Sequence, residues 1–301
     1  MTSNSRAADG DDGGRGHLPC QANEAEPLLG RSRPRSVAGG WHKRMTADIS
    51  RSRADLVLLL CYVVTGLLDS ASVQVWGAFV SMQTGRSAGE GETRAPNLAH
   101  LGAGNTVYVG LGLASLLFPP TTARLYKSGV SLLSFCLGSF LLARFHRRFS
   151  PTKRWVLCVS FAAQTLFAVA AALVVTVSKP ASSDAVDWTV LVPLVLVAFQ
   201  SSGQAVASRA LRYNALTSVV LTSIYCDLFS DEHLFARRNG ERDRRAAAPL
   251  LLLLGAVVGG VFAHSGIGIG GALWTAAGLK LSIVLLWFLW PADVAEADEE
   301  G

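Results

Sequence analysis

Seven runs of apolar residues, separated by short polar segments, decide what this chain can fold into. They are Leu56–Val80, Asn105–Phe118, Gly129–Phe145, Trp155–Val177, Trp188–Ala207, Ala247–Ala263 and Ala272–Trp290. A helix that crosses a bilayer needs about 20 apolar residues, with about 17 as the lower limit. The first, fourth, fifth and seventh runs meet this comfortably, the third and sixth narrowly, and the second is too short alone. Charged residues make up only 16% of the chain, against about 25% in soluble domains. They crowd into residues 1–55, 86–94, 144–154, 231–245 and the last ten. The pattern predicts an all-α, polytopic transmembrane bundle whose main partner is the lipid bilayer. The net charge of +5 sits mostly on loop arginines, where it reports topology. It is no nucleic-acid footprint.

Charge placement sets the number of crossings. "RFHRRFSPTKR" (144–154) and "HLFARRNGERDRR" (233–245) are strongly basic and should be cytosolic, whereas "SKPASSDAVD" (178–187) should face away. Seven Lys or Arg against one Asp in "RSRPRSVAGGWHKRMTADISRSR" place the N-terminus in the cytosol. Residues 55–145 must then cross an even number of times. The simplest solution has the first and third runs spanning, with the second as a re-entrant half-helix. Six spans and a cytosolic C-terminus follow, with seven spans as the alternative. The sequence does not separate plasma membrane from endomembrane or vacuole.

Residues 1–54 are Gly-, Ser-, Asp- and Arg-rich, lack an apolar period and read as a disordered basic tail. They hold no apolar core of a signal peptide, so the first helix is expected to direct insertion. "EAEPLL" resembles an acidic dileucine signal (Glu24, Leu28, Leu29), for which a sorting adaptor is the partner and coincidence the alternative. Residues 291–301 form an acidic tail. Cys61, Cys136, Cys158 and Cys226 lie in or beside apolar runs without metal-ligand spacing. They are expected to be buried small hydrophobes, with no disulfide framework, metal or cofactor.

One polar segment is out of place. Nineteen residues, Arg86 to Gly104, divide "FVSMQTG" from "NTVYVGLG". "TGLLDS", "FVSMQTG", "NTV" and "GLGLA", with "SRALRYN…TSVVLTSIYCDL" and "WTAAGLKLSIVLLWFLW", resemble the YoaK-like membrane proteins, domain of unknown function 1275, in their eukaryotic form. The resemblance covers roughly residues 55–290 and implies architecture more than activity. In that family Thr-Gly-Asn-Thr is uninterrupted. Here Thr84-Gly85 and Asn105-Thr106 are separated, and removing residues 86–104 restores the motif. The codons for Gly85-Arg86 and Ala103-Gly104 can carry the GT and AG of an intron. Residues 86–104 are therefore expected to be an unspliced intron or a loop insertion.

Asp69 stands inside the first apolar run, where an acid costs about 2.5–3.5 kcal/mol and usually faces a cavity or partner. It reads as a proton- or substrate-binding carboxylate, or as the cap of a broken helix. Lys280, near the middle of the last run, is its expected partner. Gln83, Thr84, Asn105 and Thr106 form a polar tip that can bind an ion or small solute or simply cap a helix. Thr217, Thr222 and Ser223 are weaker counterparts in the second half. Gln200 and Gln204 add polarity to the fifth run, and Arg209 marks its cytosolic end. Gly255 and Gly259 have the GxxxG spacing of close helix packing, within the monomer or in a homo-oligomer. "TGLLDSASVQVWGAFVSMQTG…NTVYVGLG" echoes "SSGQAVASRALRYNALTSVVLTSIYCDLF", which suggests an inverted repeat of the kind transporters use.

No nucleophile elbow, helical metal-ligand pair or Walker sequence occurs, so no enzymatic activity is expected. The reading reached is a transporter or permease for a small solute or ion, with its site near Asp69. A non-transporting scaffold or sensor is the alternative.

Overall fold

The structure, a computed structural model, describes residues 44–50, 54–83, 104–116, 123–178, 186–213 and 221–291. The segments with enough apolar length form helices: α1 (Ala54–Trp76), α2 (Asn105–Ser115), α3 (Ala123–Phe149), α4 (Arg154–Val177), α5 (Trp188–Ala210), α6 (Leu221–Phe229), α7 (Gly240–His264) and α8 (Gly268–Leu289). No strand occurs among the described residues. Six helices are long and apolar enough to cross a membrane: α1, α3, α4, α5, α7 and α8. At 1.5 Å per residue, α2 reaches only about 16 Å, half a bilayer core. The short second run is therefore a half-helix, and six is the number of candidate spans. The sequence reading missed α6 as a separate helix.

Side-chain contacts fix the helix directions. Arg244 of α7 pairs with Asp55 at the start of α1, at 2.6 Å. Higher up, Gly255 meets Val63 and Gly259 meets Leu67, so α1 and α7 run parallel. Arg154, opening α4, donates to the carbonyl of Trp290 beyond α8. Trp274 near the start of α8 donates to Thr176 near the end of α4. Those two helices are antiparallel. Ala207 and Leu211 at the end of α5 share a core cluster with Ile49, Leu157 and Trp287. The segments 144–154 and 233–245 thus lie at one end of the bundle, with the start of α1. The α4–α5 connection lies at the other.

This arrangement relates two units, α1–α4 and α5–α8. Each is a long helix, a half-length helix and two more long helices, and each element of the second unit runs opposite to its counterpart. The packing partners correspond. α1 packs on α7 as α5 packs on α3, α2 lies on α3 as α6 lies on α7, and the fourth helices, α4 and α8, pack on each other. Burial follows the same pairing. The apolar windows of α1 and α5 are each 67% buried and those of α4 and α8 each 39%, whereas α3 and α7 are 17% and 22% buried. Equivalent helices therefore occupy equivalent depths, and the faint sequence echo has a three-dimensional counterpart.

The α1–α7 crossing is close because its contact residues lack side chains. A Cβ on Gly66 would stand 2.0 Å from the Leu252 carbonyl oxygen, one on Gly255 2.2 Å from that of Val63, and one on Gly259 2.3 Å from that of Leu67. Small residues let membrane helices approach to backbone contact, where packing rather than water exclusion drives association. The GxxxG glycines serve this contact within the chain.

Three expectations change. Residues 44–50, read as part of the disordered tail, dock on the start of α4. Ile49 donates to the Thr152 carbonyl, Arg154 to that of Ala47, and Thr152 to the Asp48 carboxylate. Cys61 and Cys158 are buried, but Cys136 and Cys226 are exposed, because α3 and α6 turn those faces outward. The first run does not stay helical to Val80. It breaks at Gly77, whose φ of 74° is a conformation glycine adopts without steric cost. The dileucine motif at Glu24, Leu28 and Leu29, the acidic tail and most of residues 86–104 lie outside the described residues.

Candidate functional site

The break after α1 is where the sequence's polar tip gathers. Asp69 sits two turns before the helix ends and is buried. Its Oδ1 accepts from the backbone N–H of Val80 and of Ser81, at 2.9 Å each, and its Oδ2 accepts from the Ser81 hydroxyl. The carboxylate thus ties the non-helical segment 78–83 back onto the helix. Every bond it makes satisfies a donor that the break would otherwise strand in an apolar interior.

Asn105 fastens the next element. Its Oδ1 accepts from the Phe79 N–H at 3.1 Å and its Nδ2 donates to the Phe79 carbonyl at 2.7 Å, so one amide side chain takes both backbone groups of one residue. Nδ2 also lies 3.0 Å from Gln83 Oε1 and from Ser131 Oγ of α3. Ser131 in turn donates to the Phe79 carbonyl. Thr106 donates from both its N–H and its hydroxyl to the Gln83 carbonyl. Asp69, Gln83, Asn105 and Thr106 therefore form one knot. Thr84 lies outside the described residues.

The knot also fixes the register between the residues on either side of 86–104. The N–H of Asn105 bonds the carbonyl of Met82, and that of Thr106 bonds the carbonyl of Gln83. Both pairs are separated by 23 positions in this numbering. Without the nineteen residues from Arg86 to Gly104 each separation becomes four, the repeat of an α-helix. Tyr108 bonds the carbonyl of Gly104, which then occupies the position of Gly85. The chain on either side keeps the hydrogen-bond register of one uninterrupted helix.

Lys280 is elsewhere. The expected Asp69–Lys280 pair does not form, and the helix packing explains why. α1 and α8 are antiparallel, and Ile283 clusters with Cys61 whereas Ala276 clusters with Leu68. Lys280 therefore lies between the levels of Cys61 and Leu68, about five residues or about 7.5 Å along α1 from Asp69. Its ammonium donates to Gln164 Oε1 at 2.5 Å and stands 5.4 Å from the centre of the Phe161 ring. It has no ion pair among the described residues. Gln164 Nε2 reaches Ser160 Oγ at 3.4 Å, and Ser160 Oγ lies 3.2 Å from His146 Nε2. Gln204 donates to Thr65, whose hydroxyl donates to the Cys61 carbonyl.

The residues singled out by sequence thus separate into a tip around Asp69 and a core at the α1–α4–α5–α8 junction that holds Gln204 and Lys280. Sequence reasoning missed Gln164, Ser160, His146 and Thr65. Gln164 carried a usable signal as the one amide in an apolar span. His146 did not, because "RFHRRF" reads as a loop, although α3 runs on to Phe149 and buries it. Thr222 lies on α6 and Ser223 beside it, while Thr217 is outside the described residues. Arg209 is in the last turn of α5, at the basic end.

The surface at that end has its own ionic order. Asp231 accepts from the backbone N–H of His233, from Asn239 and from Arg245. Together these hold its carboxyl below the usual range, the His233 N–H most strongly. Arg242 donates to the carbonyls of Leu234 and Ala236, closing the 230–239 loop onto α7. Among the described residues no group of three His, Cys, Asp or Glu side chains can hold a metal ion.

A family model described as "Protein of unknown function (DUF1275)" matches residues 98–286. The match takes in α2 to α7 and most of α8 but leaves out α1 and the Asp69 side of the knot. No curated protein matches the chain, and no solved structure does.

Proposed function

We propose that this chain, which belongs to the DUF1275 family of proteins of unknown function, carries a small solute or ion across its membrane. The observation that carries this reading is the inverted pair of four-helix units, each with a half-length helix, packed around buried polar side chains. In transporters, inverted repeats with broken helices place a binding site near the bilayer midplane, and rocking one unit against the other exposes it alternately to each side. Here Asp69 ties the segment 78–83 to α1, and Asn105 sets the half-helix α2 against that segment and α3. Lys280, Gln164 and Gln204 supply the polar groups of the core. Both ends of the chain lie in the cytosol in this reading, because the basic segments share the bundle end with the start of α1 and the end of α8.

The test is comparative metabolite and ion uptake, in cells with and without the protein and in cells making Asp69→Asn or Lys280→Met. At least one solute should accumulate or deplete only with the unaltered protein. Indistinguishable uptake profiles in all four would overturn the reading and favour a scaffold or sensor.

A further inference from the structure

The side chains joining α8, α4 and α3 form a chain of donors and acceptors with two opposite directions. We propose that Lys280 is a proton-binding site at the centre of the bundle and that its occupancy is passed to His146, at the basic end, by reversal of the hydrogen bonds through Gln164 and Ser160. All four residues are at most 2% exposed. This reading goes beyond solute transport and holds whether or not a solute moves.

The directions follow from which atoms can donate. A charged Lys280 can only donate, so Gln164 turns its Oε1 to the ammonium and its Nε2 to Ser160, the arrangement observed. Ser160 Oγ then accepts from Gln164 and can donate its own proton to His146 Nε2. The imidazole proton is left on Nδ1. When Lys280 gives its proton up, the neutral amine gains a lone pair. Gln164 can then turn over, with Nε2 donating to Lys280 and Oε1 accepting from Ser160. The Ser160 oxygen becomes an acceptor for His146, which carries its proton on Nε2 and leaves Nδ1 bare. The imidazole makes this change by exchange with water at the basic end, which takes the proton from Nδ1 and returns one to Nε2, so its charge is unchanged and the released Lys280 proton is the net loss.

Two observations suit this role. His146 Nδ1 is buried and has no hydrogen-bond partner, so neither tautomer is locked by a second contact. Lys280 has a neutral partner where a carboxylate would fix its charge permanently. α8 packs on α4, α1 and α7. Toward Lys280, α4 presents the Gln164 amide and the Phe161 ring, and α1 carries the Cys61 thiol, in the cluster that holds Ile283. No described titratable side chain of α7 acts on it. Around His146, α4 offers Ser160, and the neighbouring Arg147 and Arg148 are exposed.

Nitrogen NMR of ¹⁵N-histidine-labelled full-length protein in lipid bilayers tests this directly, with the signal lost in His146→Gln giving the assignment. In the unaltered protein the His146 signal should change from the Nδ1–H to the Nε2–H tautomer as pH rises. Lys280→Arg, which cannot lose its charge, should hold the Nδ1–H form at every pH. Gln164→Leu should remove the pH step, and Gln164→Met serves if the leucine variant is not monodisperse. A step that persists unchanged in Lys280→Arg and the Gln164 variant overturns the proposal, as does a tautomer that never changes in the unaltered protein. A coupled step without any solute uptake would retain it and discard the transport reading. Uptake without a step would do the reverse.

Discussion

Asp69 and Lys280 are both buried charges in apolar helices, yet they are held in opposite ways. Asp69 accepts from three donors, all from Val80 and Ser81, eleven and twelve positions along the chain. Lys280 donates to one neutral amide 116 positions away. A carboxylate saturated by local donors is a structural clamp, since changing its charge would strand the backbone it serves. A cation with a single uncharged partner loses less when its charge changes. Burial alone therefore does not distinguish the two charges. The number and kind of their partners do.

The largest expected effect breaks the clamp. Asp69→Ala leaves the N–H groups of Val80 and Ser81 buried without an acceptor, at about 1–3 kcal/mol each. Thermal unfolding in detergent should show a loss of about 3–5 kcal/mol. Asp69→Asn keeps one acceptor oxygen and should lose about half as much. If alanine costs under about 1 kcal/mol, the clamp is not what holds the break. Next is Asn105→Ala, which strips both backbone partners from Phe79 and should cost about 2 kcal/mol by the same measurement.

Lys280→Met should invert the pattern. Methionine removes the desolvation cost of a buried ammonium without a counter-ion but leaves Gln164 Oε1 without its donor; the two offset, so stability should stay within about 1 kcal/mol while any measured uptake is lost. A destabilisation as large as that of Asp69→Ala would erase the distinction between the two charges. The smallest effect is expected from deleting residues 86–104. The hydrogen bonds from Asn105 to Met82 and from Thr106 to Gln83 would become ordinary helical ones, and the entropic cost of closing the loop would disappear. The 282-residue chain should unfold at the same or a slightly higher temperature, and a marked loss of stability would show that the segment contributes to the fold. Transcript sequencing across these codons independently decides whether the shorter chain is the natural one.

Hydropathy and charge spacing made the spans legible, because lipid demands an apolar surface and an internally bonded backbone wherever a helix crosses. The membership of the Asp69 knot was half legible. Asp69, Gln83, Asn105 and Thr106 stand out as polar residues beside an apolar run, but Ser81 and Ser131 are too common in type to attract notice. The end of α1 was misread by four residues, since an apolar run does not show where a glycine turns the chain.

By itself the sequence determined the class of molecule, the apolar runs that become its long helices, the odd placement of residues 86–104 and which charges lie inside apolar runs. Only the tertiary structure decided their partners. Whether Asp69 meets Lys280 depends on how far α8 slides along α1. That offset is set by side-chain packing that puts Ile283 in one cluster with Cys61 and Ala276 in another with Leu68, a relation between residues more than 200 positions apart that no local pattern encodes.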